Sequence, residues 1–290
     1  MPGSNSSSAA EITTEENHKG NSMAILRVMT FNIHGNDPEW LALHADPTLR
    51  ILQRYSPDLI GLQETKATNL EFYRQHLLDY EDELGQEFGE EEDRGYCSIL
   101  WKKARFDRIE SGKFWFSRTP DVESSDWGVE YPLGATWIRL LDKITGIQLL
   151  HLNTQFEDGS WGEQSRQGSS RLIVERTAQL APDTPVILTG DFNCNPWSDA
   201  YNHFLANGFI DSYRAAGNAD SVDSSTYHGF AGKQYFALEW GAEMYWRVDW
   251  ILTRAGTHGL QTSSSTIVRD AAPPIYPSDH YPVVSELVVL

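Results

Sequence analysis

The sequence is poor in cysteine and basic residues, and it has no long apolar run. Its two cysteines, Cys97 and Cys194, fit neither a disulfide framework nor a zinc-binding spacing, so a reducing compartment is expected. No run of about 18 apolar residues occurs, so no transmembrane helix is predicted. Residues 1–22 are small and polar, without the apolar segment of a secretory signal. We therefore expect a disordered tail and a cytoplasmic location.

Basic residues are few relative to acidic ones. The chain has 23 Lys and Arg against 41 Asp and Glu, a formal charge of −18. Such a surface repels phosphate backbones, which argues against a long nucleic acid as partner without excluding one. The basic cluster WKKARFDR at 101–108 is predicted to cap a strand and its turn. The acidic run 81–94 is predicted to be a solvated loop, since it lacks the regular alternation of a calcium loop.

Short apolar runs bounded by turn residues predict eight strands, at 25–31, 58–63, 96–101, 135–141, 146–152, 185–190, 248–252 and 282–290. Four segments predict helices, at 48–55, 69–78, 170–180 and 198–207. Ser198 is the expected N-cap of the last helix, because its hydroxyl can accept from a free amide of the first turn. These patterns indicate one α/β domain over residues 23–290.

Polar side chains follow or interrupt six of the apolar segments. Asp191 and Asn193 are two residues apart, which points both side chains to one face of an extended chain. Asp249 is flanked by apolar residues, and a buried charge needs a partner or a metal ion. The complete set is Asn32 in TFNIHG, Glu64 in LQET, Asn153 and Gln155 in NTQFED, Asp191 and Asn193 in GDFN, Asp249 in RVDWIL, and Asp279 and His280 in SDH.

In this order, the TFN, LQE, GDFN, RVDWIL and SDH segments resemble the endonuclease/exonuclease/phosphatase superfamily, which has the fold of DNase I. The resemblance covers nearly all of residues 25–290. It implies an α/β (α+β) fold of four layers, in which two central mixed β-sheets are flanked by helices. The segments FWFS at 114–117 and TYHGF at 226–230 resemble the small-phosphoesterase branch rather than the DNA-repair branch.

The resemblance also implies roles for the polar residues. Glu64 would bind Mg²⁺ or Mn²⁺ with Asn32 and Asp279 close by, since Mg²⁺ prefers oxygen ligands. Asp191 and Asn193 would hold the attacking water and a phosphoryl oxygen. His280, oriented by Asp249, would act as base or as electrostatic stabiliser. Whether Asp191 or His280 activates the water stays open.

Further residues are candidates for contact with the substrate. Asn153, His228 and Trp197 are predicted to touch it. His34 could approach the site from a neighbouring loop, and Trp115 and Trp161 could stack on a ligand.

The main departure from the family pattern is Gln155. Relatives typically read NTHLDH where this chain reads NTQFED, so Gln155 replaces a histidine. A glutamine amide can donate a hydrogen bond but cannot deliver a proton. If the reaction needs that acid, the replacement costs roughly 10²–10⁴ in rate. Three explanations stay open: a leaving group or metal ion that makes the acid unnecessary, an engineered substitution that traps a ligand, or a change to other chemistry or to binding.

The leading expectation is a metal-dependent hydrolase of a phosphate ester or diester, with a small molecule or headgroup as substrate. A Mg²⁺-dependent nuclease is the second reading, and it predicts a basic groove beside the site. A repurposed or catalytically impaired member, which binds an anion or runs non-hydrolytic chemistry, is the third. Fold alone does not separate the three, because sites rather than scaffolds set function.

Overall fold

The computed structural model describes residues 24–85, 95–159, 162–232, 247–271 and 274–290, so the predicted tail lies outside the described residues. The strands are β1 (Ile25–Asn32), β2 (Leu59–Thr65), β3 (Tyr80–Glu83), β4 (Tyr96–Lys102), β5 (Phe106–Trp115), β6 (Gly134–Asp142), β7 (Gln148–Gln155), β8 (Val186–Asp191), β9 (Ile210–Asp211), β10 (Asp249–Arg254), β11 (Leu260–Ile267) and β12 (Val283–Val289). The helices are α1 (Trp40–Leu43), α2 (Ala45–Tyr55), α3 (Ala67–His76), α4 (Glu163–Leu180), α5 (Asp199–Ala206) and α6 (Ser212–Ala215), and a short 3-10 helix covers Val222–Ser224.

The strands form two six-stranded sheets. The first has the order β11-β12-β1-β2-β4-β3, and the second has the order β5-β6-β7-β8-β10-β9. Within them, β1 pairs with β2 and β7 pairs with β8 in parallel. The neighbouring pairs β1–β12 and β8–β10 are antiparallel, so both sheets are mixed. The predicted sandwich of two mixed sheets with flanking helices is confirmed.

Three apolar clusters hold the layers together. Phe31 belongs to the cluster that packs α2 and α3 on the outer face of the first sheet. Val28 and Ile187 belong to the cluster between the two sheets. Leu188 belongs to the cluster that packs α4 and α5 on the second sheet. Neighbouring residues of one strand thus enter different clusters, because side chains alternate between the faces of a sheet.

The space between the sheets changes from apolar to polar toward one edge. Along β8, the inward side chains are Ile187, Thr189 and Asp191, all buried. Thr189 Oγ1 contacts His151 Nε2 at 3.0 Å and donates to Asn153 Oδ1 at 3.0 Å. These inward polar residues form a buried polar seam that leads from the apolar cluster to the edge where Asp191 ends β8.

Each of the eight predicted strands and four predicted helices is present with ends shifted by a few residues, except that α4 begins at Glu163, seven residues before its predicted start at 170. The predicted N-cap is confirmed, since Ser198 Oγ accepts from Tyr201 N at 3.2 Å. The sequence analysis did not predict β3, β5, β9, β11, α1 or α6. Residues 81–83 of the predicted acidic loop belong to β3, whereas 86–94 lie outside the described residues. Over the described ranges, no helix combines the length and apolarity needed to cross a membrane.

Candidate active site

Strand register places three polar residues side by side on the second sheet. Gln155 on β7 pairs with Asp191 on β8, and Asp191 pairs with Asp249 on β10. The parallel strands β7 and β8 end at this edge, and the antiparallel β10 begins there. Because the three residues are in register, their side chains meet at one edge of the sheet.

The facing edge of the first sheet supplies Asn32, the last residue of β1, and Glu64, next to the last residue of the parallel β2. Asn32 Nδ2 donates to Glu64 Oε1 at 2.8 Å and to Asp191 Oδ2 at 3.1 Å. Gln155 Nε2 donates to Glu64 Oε1 at 2.8 Å and lies 3.5 Å from Asp191 Oδ2. Two neutral amides therefore bridge two carboxylates that belong to different sheets.

The backbone of Glu64 has an uncommon conformation. Its φ of +54° lies in the left-handed region, which a residue with a side chain rarely adopts. Two glycines allow the chain to pack closely around it: a Cβ on Gly95 would lie 2.5 Å from the Glu64 backbone, and one on Gly35 would lie 2.4 Å from its carbonyl oxygen. Strain of this kind persists when the surroundings enforce it, and it clusters at functional sites. The sequence analysis did not identify either glycine as part of the site.

Asp249 and His280 form a hydrogen-bonded pair, the arrangement that the family resemblance implies. His280 Nδ1 lies 2.9 Å from Asp249 Oδ2, and both residues are buried. His280 Nε2 faces Asp191 Oδ2 at 3.9 Å. The Asp249 backbone amide donates to Thr226 Oγ1 at 3.2 Å, which fixes the start of β10. Asp249 Oδ1 is buried and has no hydrogen-bond partner among the described residues.

Burial sets the proton affinities of this cluster. Desolvation raises the pKa of Asp191 to about 8, although the nearby His280 opposes the rise. Burial by itself would lower the pKa of His280, but the carboxylates of Asp249 and Asp191 outweigh it and raise that pKa well above its usual value. The cluster therefore holds at least one shared proton at neutral pH.

A second pair of carboxylates lies nearer the surface. Glu64 Oε2 and Asp279 Oδ2 lie 3.7 and 3.5 Å from the same atom, His34 Nδ1, and the two carboxylate side chains are 20% and 13% exposed. Ser278 Oγ donates to Asp279 Oδ1 at 3.2 Å. The ring of His34 packs edge-on against Phe230. Two carboxylates with access to solvent are the oxygen ligands that a hydrated divalent cation prefers.

The predicted substrate contact of Asn153 is wrong. This side chain is fully buried and belongs to the polar seam. Asn153 Nδ2 donates to the backbone oxygens of Leu62 and Ser98, at 2.7 and 2.9 Å, and Asn153 Oδ1 accepts from Gln63 at 2.6 Å. Because β2 and β4 belong to the opposite sheet, Asn153 ties the sheets together beneath the site. An asparagine after an apolar strand carries no sequence signal that separates this role from substrate binding.

His228 and Asn193 were also predicted to belong to the site. His228 is buried against Tyr276 and Tyr281, and its backbone amide donates to Asp279 O at 2.8 Å, so it supports the Asp279 loop. Asn193 has a φ of +47°, and its side chain donates to Phe156 O at 2.9 Å.

The three tryptophans that were predicted to contact a ligand have different outcomes. Trp115 ends β5 and is buried, so it belongs to the protein interior. Trp197 is 52% exposed just before α5, and its contact with a substrate stays a prediction. Trp161 lies outside the described residues.

A comparison with protein families identifies the family of this chain. The model of the Endonuclease/Exonuclease/phosphatase family matches residues 29–280. The chain belongs to this family. None of the curated proteins matches it.

Three solved structures are similar in fold to this family member over nearly its whole length. The endonuclease/exonuclease/phosphatase from Bacteroides vulgatus is 26% identical, with a TM-score of 0.79 over 92% of this chain and 100% of that chain. A mannosyl-6-phosphatase from Bacteroides thetaiotaomicron is 25% identical, with a TM-score of 0.76 over 91% and 99%. D. rerio TDP2, complexed with single strand DNA product, is 18% identical with a TM-score of 0.71 over 91% and 99%, a likeness of fold alone.

Proposed function

We propose that this protein is a Mg²⁺- or Mn²⁺-dependent phosphoesterase that hydrolyses a small phosphate ester or diester. The observation that carries the proposal is the meeting of Glu64, Asp191 and the Asp249–His280 pair at one edge of the sandwich. Solvent-accessible carboxylates suit a cation, and a buried acid–base cluster suits proton transfer to or from water. The likeness to a mannosyl-6-phosphatase supports a small phosphorylated substrate.

Glu64 and Asp279 fit the implied metal ion better than the buried cluster does. Asp191, Asp249 and His280 also bring ligand-type atoms within 4.8 Å of one another. However, the hydrogen bond to Asp249 occupies Nδ1 of His280, and burial leaves little room for a cation that keeps its waters. Glu64 and Asp279 retain access to solvent. The bound ion would stabilise negative charge on the phosphoryl and leaving oxygens.

The protein's own groups divide the remaining work. A carboxyl group whose pKa is about 8, as at Asp191, is ionised in a fraction of the molecules near neutral pH, and in that form it would accept a proton from water. The protonated His280, held by Asp249, would donate to a phosphoryl oxygen through Nε2. Gln155 orients Glu64 through its amide and supplies no proton. The leaving alcohol would therefore take its proton from a group other than Gln155, and a bound metal ion would stabilise the charge on the leaving oxygen.

The surroundings favour a small substrate over a nucleic acid. Three of the four basic residues of the WKKARFDR cluster form ion pairs: Arg105 with Asp58 and Asp142, each at 2.9 Å, Lys102 with Asp58 at 3.3 Å, and Arg108 with Glu83 at 3.2 Å. The cluster follows the Lys102 end of β4, whereas Glu64 lies near the Tyr96 end, since Thr65 pairs with Tyr96. The cluster therefore lies at the end of β4 that is away from the site.

The test is hydrolysis of chromogenic phosphate monoesters and diesters with Mg²⁺, with Mn²⁺ and with a chelator. The wild type and Gln155→His are compared in parallel, and a single-stranded oligonucleotide serves as competing substrate. We expect the wild type to hydrolyse small esters only when metal is present. Histidine at 155 is expected to raise the rate most for esters with poor leaving groups, since these benefit most from an acid.

The other outcomes are equally informative. Activity in Gln155→His alone would identify Gln155 as the block to catalysis. Preferential cleavage of the oligonucleotide would replace the small-ester proposal with the nuclease reading. If neither protein hydrolyses any ester, the proposal is overturned in favour of anion binding or non-hydrolytic chemistry.

A further inference from the structure

The Asp249–His280 pair joins two segments of chain that are 31 residues apart in sequence. Asp249 is the first residue of β10, whereas His280 lies in the loop before β12. The 2.9 Å contact between His280 Nδ1 and Asp249 Oδ2 therefore depends on what holds this loop against the start of β10. A third segment, residues 226–228, bonds to both.

This third segment pairs with the loop that carries His280. It lies antiparallel to residues 279–281, with Tyr227 opposite His280. The Tyr227 ring packs against the His280 imidazole, and the two ring centroids are 5.0 Å apart. The backbone amide of Tyr281 donates to the carbonyl oxygen of Thr226 at 2.7 Å. The carbonyl group of Thr226 therefore fixes the chain directly after His280.

The side chain of Thr226 contacts the start of β10. Thr226 Oγ1 accepts from the backbone amides of Val248 at 3.0 Å and Asp249 at 3.2 Å. All three residues are buried. A buried amide that loses its acceptor destabilises the conformation it belongs to, so the start of β10 would shift if this hydroxyl were absent. Thr226 thus connects β10, through its hydroxyl, to the loop that carries His280, through its carbonyl oxygen.

The chemistry of threonine suits this double contact. A hydroxyl oxygen has two lone pairs, so it can accept from two neighbouring amides. The branched Cβ restricts χ1, which keeps the oxygen of Thr226 aimed at β10. Valine has a similar shape without the acceptor, and serine has the acceptor without the second branch. The contribution of the hydroxyl can therefore be separated by substitution from that of packing.

We propose that Thr226 is a positioning residue of the site, whose hydroxyl and carbonyl oxygens together set how Asp249 meets His280. Thr226 is fully buried, so it acts on the reaction through this pair and not by contact with the substrate. The expected effect on turnover rests on the proposed phosphoesterase function, whereas the expected effect on the geometry of the pair does not.

The first measurement compares kcat and KM of the wild type, Thr226→Val and Thr226→Ser with a chromogenic phosphate ester and Mn²⁺. We expect Thr226→Val to lower kcat roughly 10- to 100-fold, because a small misplacement of a catalytic pair has an effect of that size. KM should change less than about threefold, since groups that bind substrate equally in ground and transition state are untouched. Thr226→Ser should keep kcat within about threefold of the wild type, because it retains the acceptor.

The second measurement needs neither substrate nor metal ion. A histidine Nδ1 proton that is donated to a buried carboxylate gives a proton resonance well downfield of the amide signals, because the hydrogen bond is charge-assisted. We expect this resonance in the wild type and assign it by its loss in His280→Gln. It should move upfield or disappear by exchange with water in Thr226→Val and stay in place in Thr226→Ser.

Thr177→Val is the matched control, because it removes a buried threonine hydroxyl that accepts from Arg254 Nη1 at 3.2 Å, at the other end of β10. It should change neither kcat nor the resonance of His280. Wild-type kcat and an unchanged resonance in Thr226→Val would overturn the inference. A serine variant as impaired as the valine variant would also overturn it, since the hydroxyl would then not be the group that matters.

If Thr226→Val does not fold, Thr226→Cys takes its place, because a thiol accepts hydrogen bonds only weakly. Its kcat should then lie below that of the serine variant, and equal kcat and resonance in the two would overturn the inference. If the wild type hydrolyses no ester, the proposed function fails and the resonance of His280 alone decides. An unchanged resonance in the valine or cysteine variant would overturn the inference in that case as well.

Discussion

The site has a buried half and an open half, and the carboxyl groups of the two halves differ in their exposure to solvent. In the buried half, Asp191 and Asp249 are almost fully enclosed and share an imidazole, His280. In the open half, Glu64 and Asp279 keep contact with solvent beside His34. Burial raises proton affinity, whereas exposure leaves a route for a hydrated cation. One edge of the sandwich can thus provide an acid–base group and a metal site from similar side chains.

The halves also differ in how the chain builds them. The buried half follows from register, since Asp191 and Asp249 are paired residues on adjacent strands. The open half depends on an unusual backbone, in which Glu64 has a positive φ and Gly95 makes room for it. Asn32 joins the halves by donating to both Glu64 and Asp191. Substitutions in one half are therefore expected to leave the function of the other half measurable.

The largest effect is expected from Asp249→Asn in the buried half. Loss of the carboxylate removes the charge that keeps His280 protonated and oriented, so its pKa should fall. We expect kcat to drop roughly 10²–10⁴-fold, as for loss of an acid–base group. Affinity for Mn²⁺, measured by titration calorimetry, should change less than about threefold, because Asp249 does not belong to the open half. An equal loss of metal affinity would show that the halves are not separate.

A smaller effect is expected from Glu64→Ala in the open half, and it concerns metal affinity rather than acid–base catalysis. Because even a partner of a metal ligand alters affinity by roughly 10- to 100-fold, Mn²⁺ affinity should fall by at least that factor. Metal-dependent turnover should disappear while the far-UV spectrum stays unchanged. Asp107→Ala, at an exposed carboxylate, is the matched control and should bind Mn²⁺ like the wild type. Full metal-dependent activity in Glu64→Ala would disprove the metal assignment.

The same contrast between buried and exposed segments explains which parts of the fold could be predicted. The eight predicted strands are the inner strands of the two sheets, and the four missed strands β3, β5, β9 and β11 are their edges. Inner strands are covered on both faces and read as apolar runs. An edge strand such as β11, with the sequence LQTSSSTI, is half exposed and resembles a polar loop. Edge strands commonly carry polar residues, which blunt pairing with other chains.

The site could be predicted in part for a related reason. Asp191, Asp249 and His280 stood out because charged or polar residues beside apolar strands are unusual, and the structure brings them together. Asn153 stood out equally but ties the sheets together. Gly35 and Gly95 gave no signal, since glycines are common in loops. Their close packing around Glu64 depends on how segments distant in sequence meet, which one sequence does not display.

The last predicted effect concerns stability. It tests whether burial of the Asp191 carboxyl group destabilises the folded protein at neutral pH. In the unfolded chain this carboxyl ionises near 3.8, whereas burial in the folded protein raises its pKa to about 8. Between these values the folded state keeps a proton that the unfolded state has lost. The free energy of unfolding therefore falls as pH rises from about 4 to 8 and levels off above.

Asp191→Asn, measured without metal in the presence of a chelator, should remove this dependence because a neutral amide does not titrate. We expect Tm to match that of the wild type at pH 4 and to exceed it at pH 8. Asp107→Asn, at a largely exposed carboxylate that pairs with Lys143, is the control for loss of a carboxylate outside the site and should not raise Tm at pH 8. A gain at pH 4 as large as at pH 8 would mean that Asp191 is ionised in the fold. Its suitability as the base would then have to come from position alone, because its proton affinity would be ordinary.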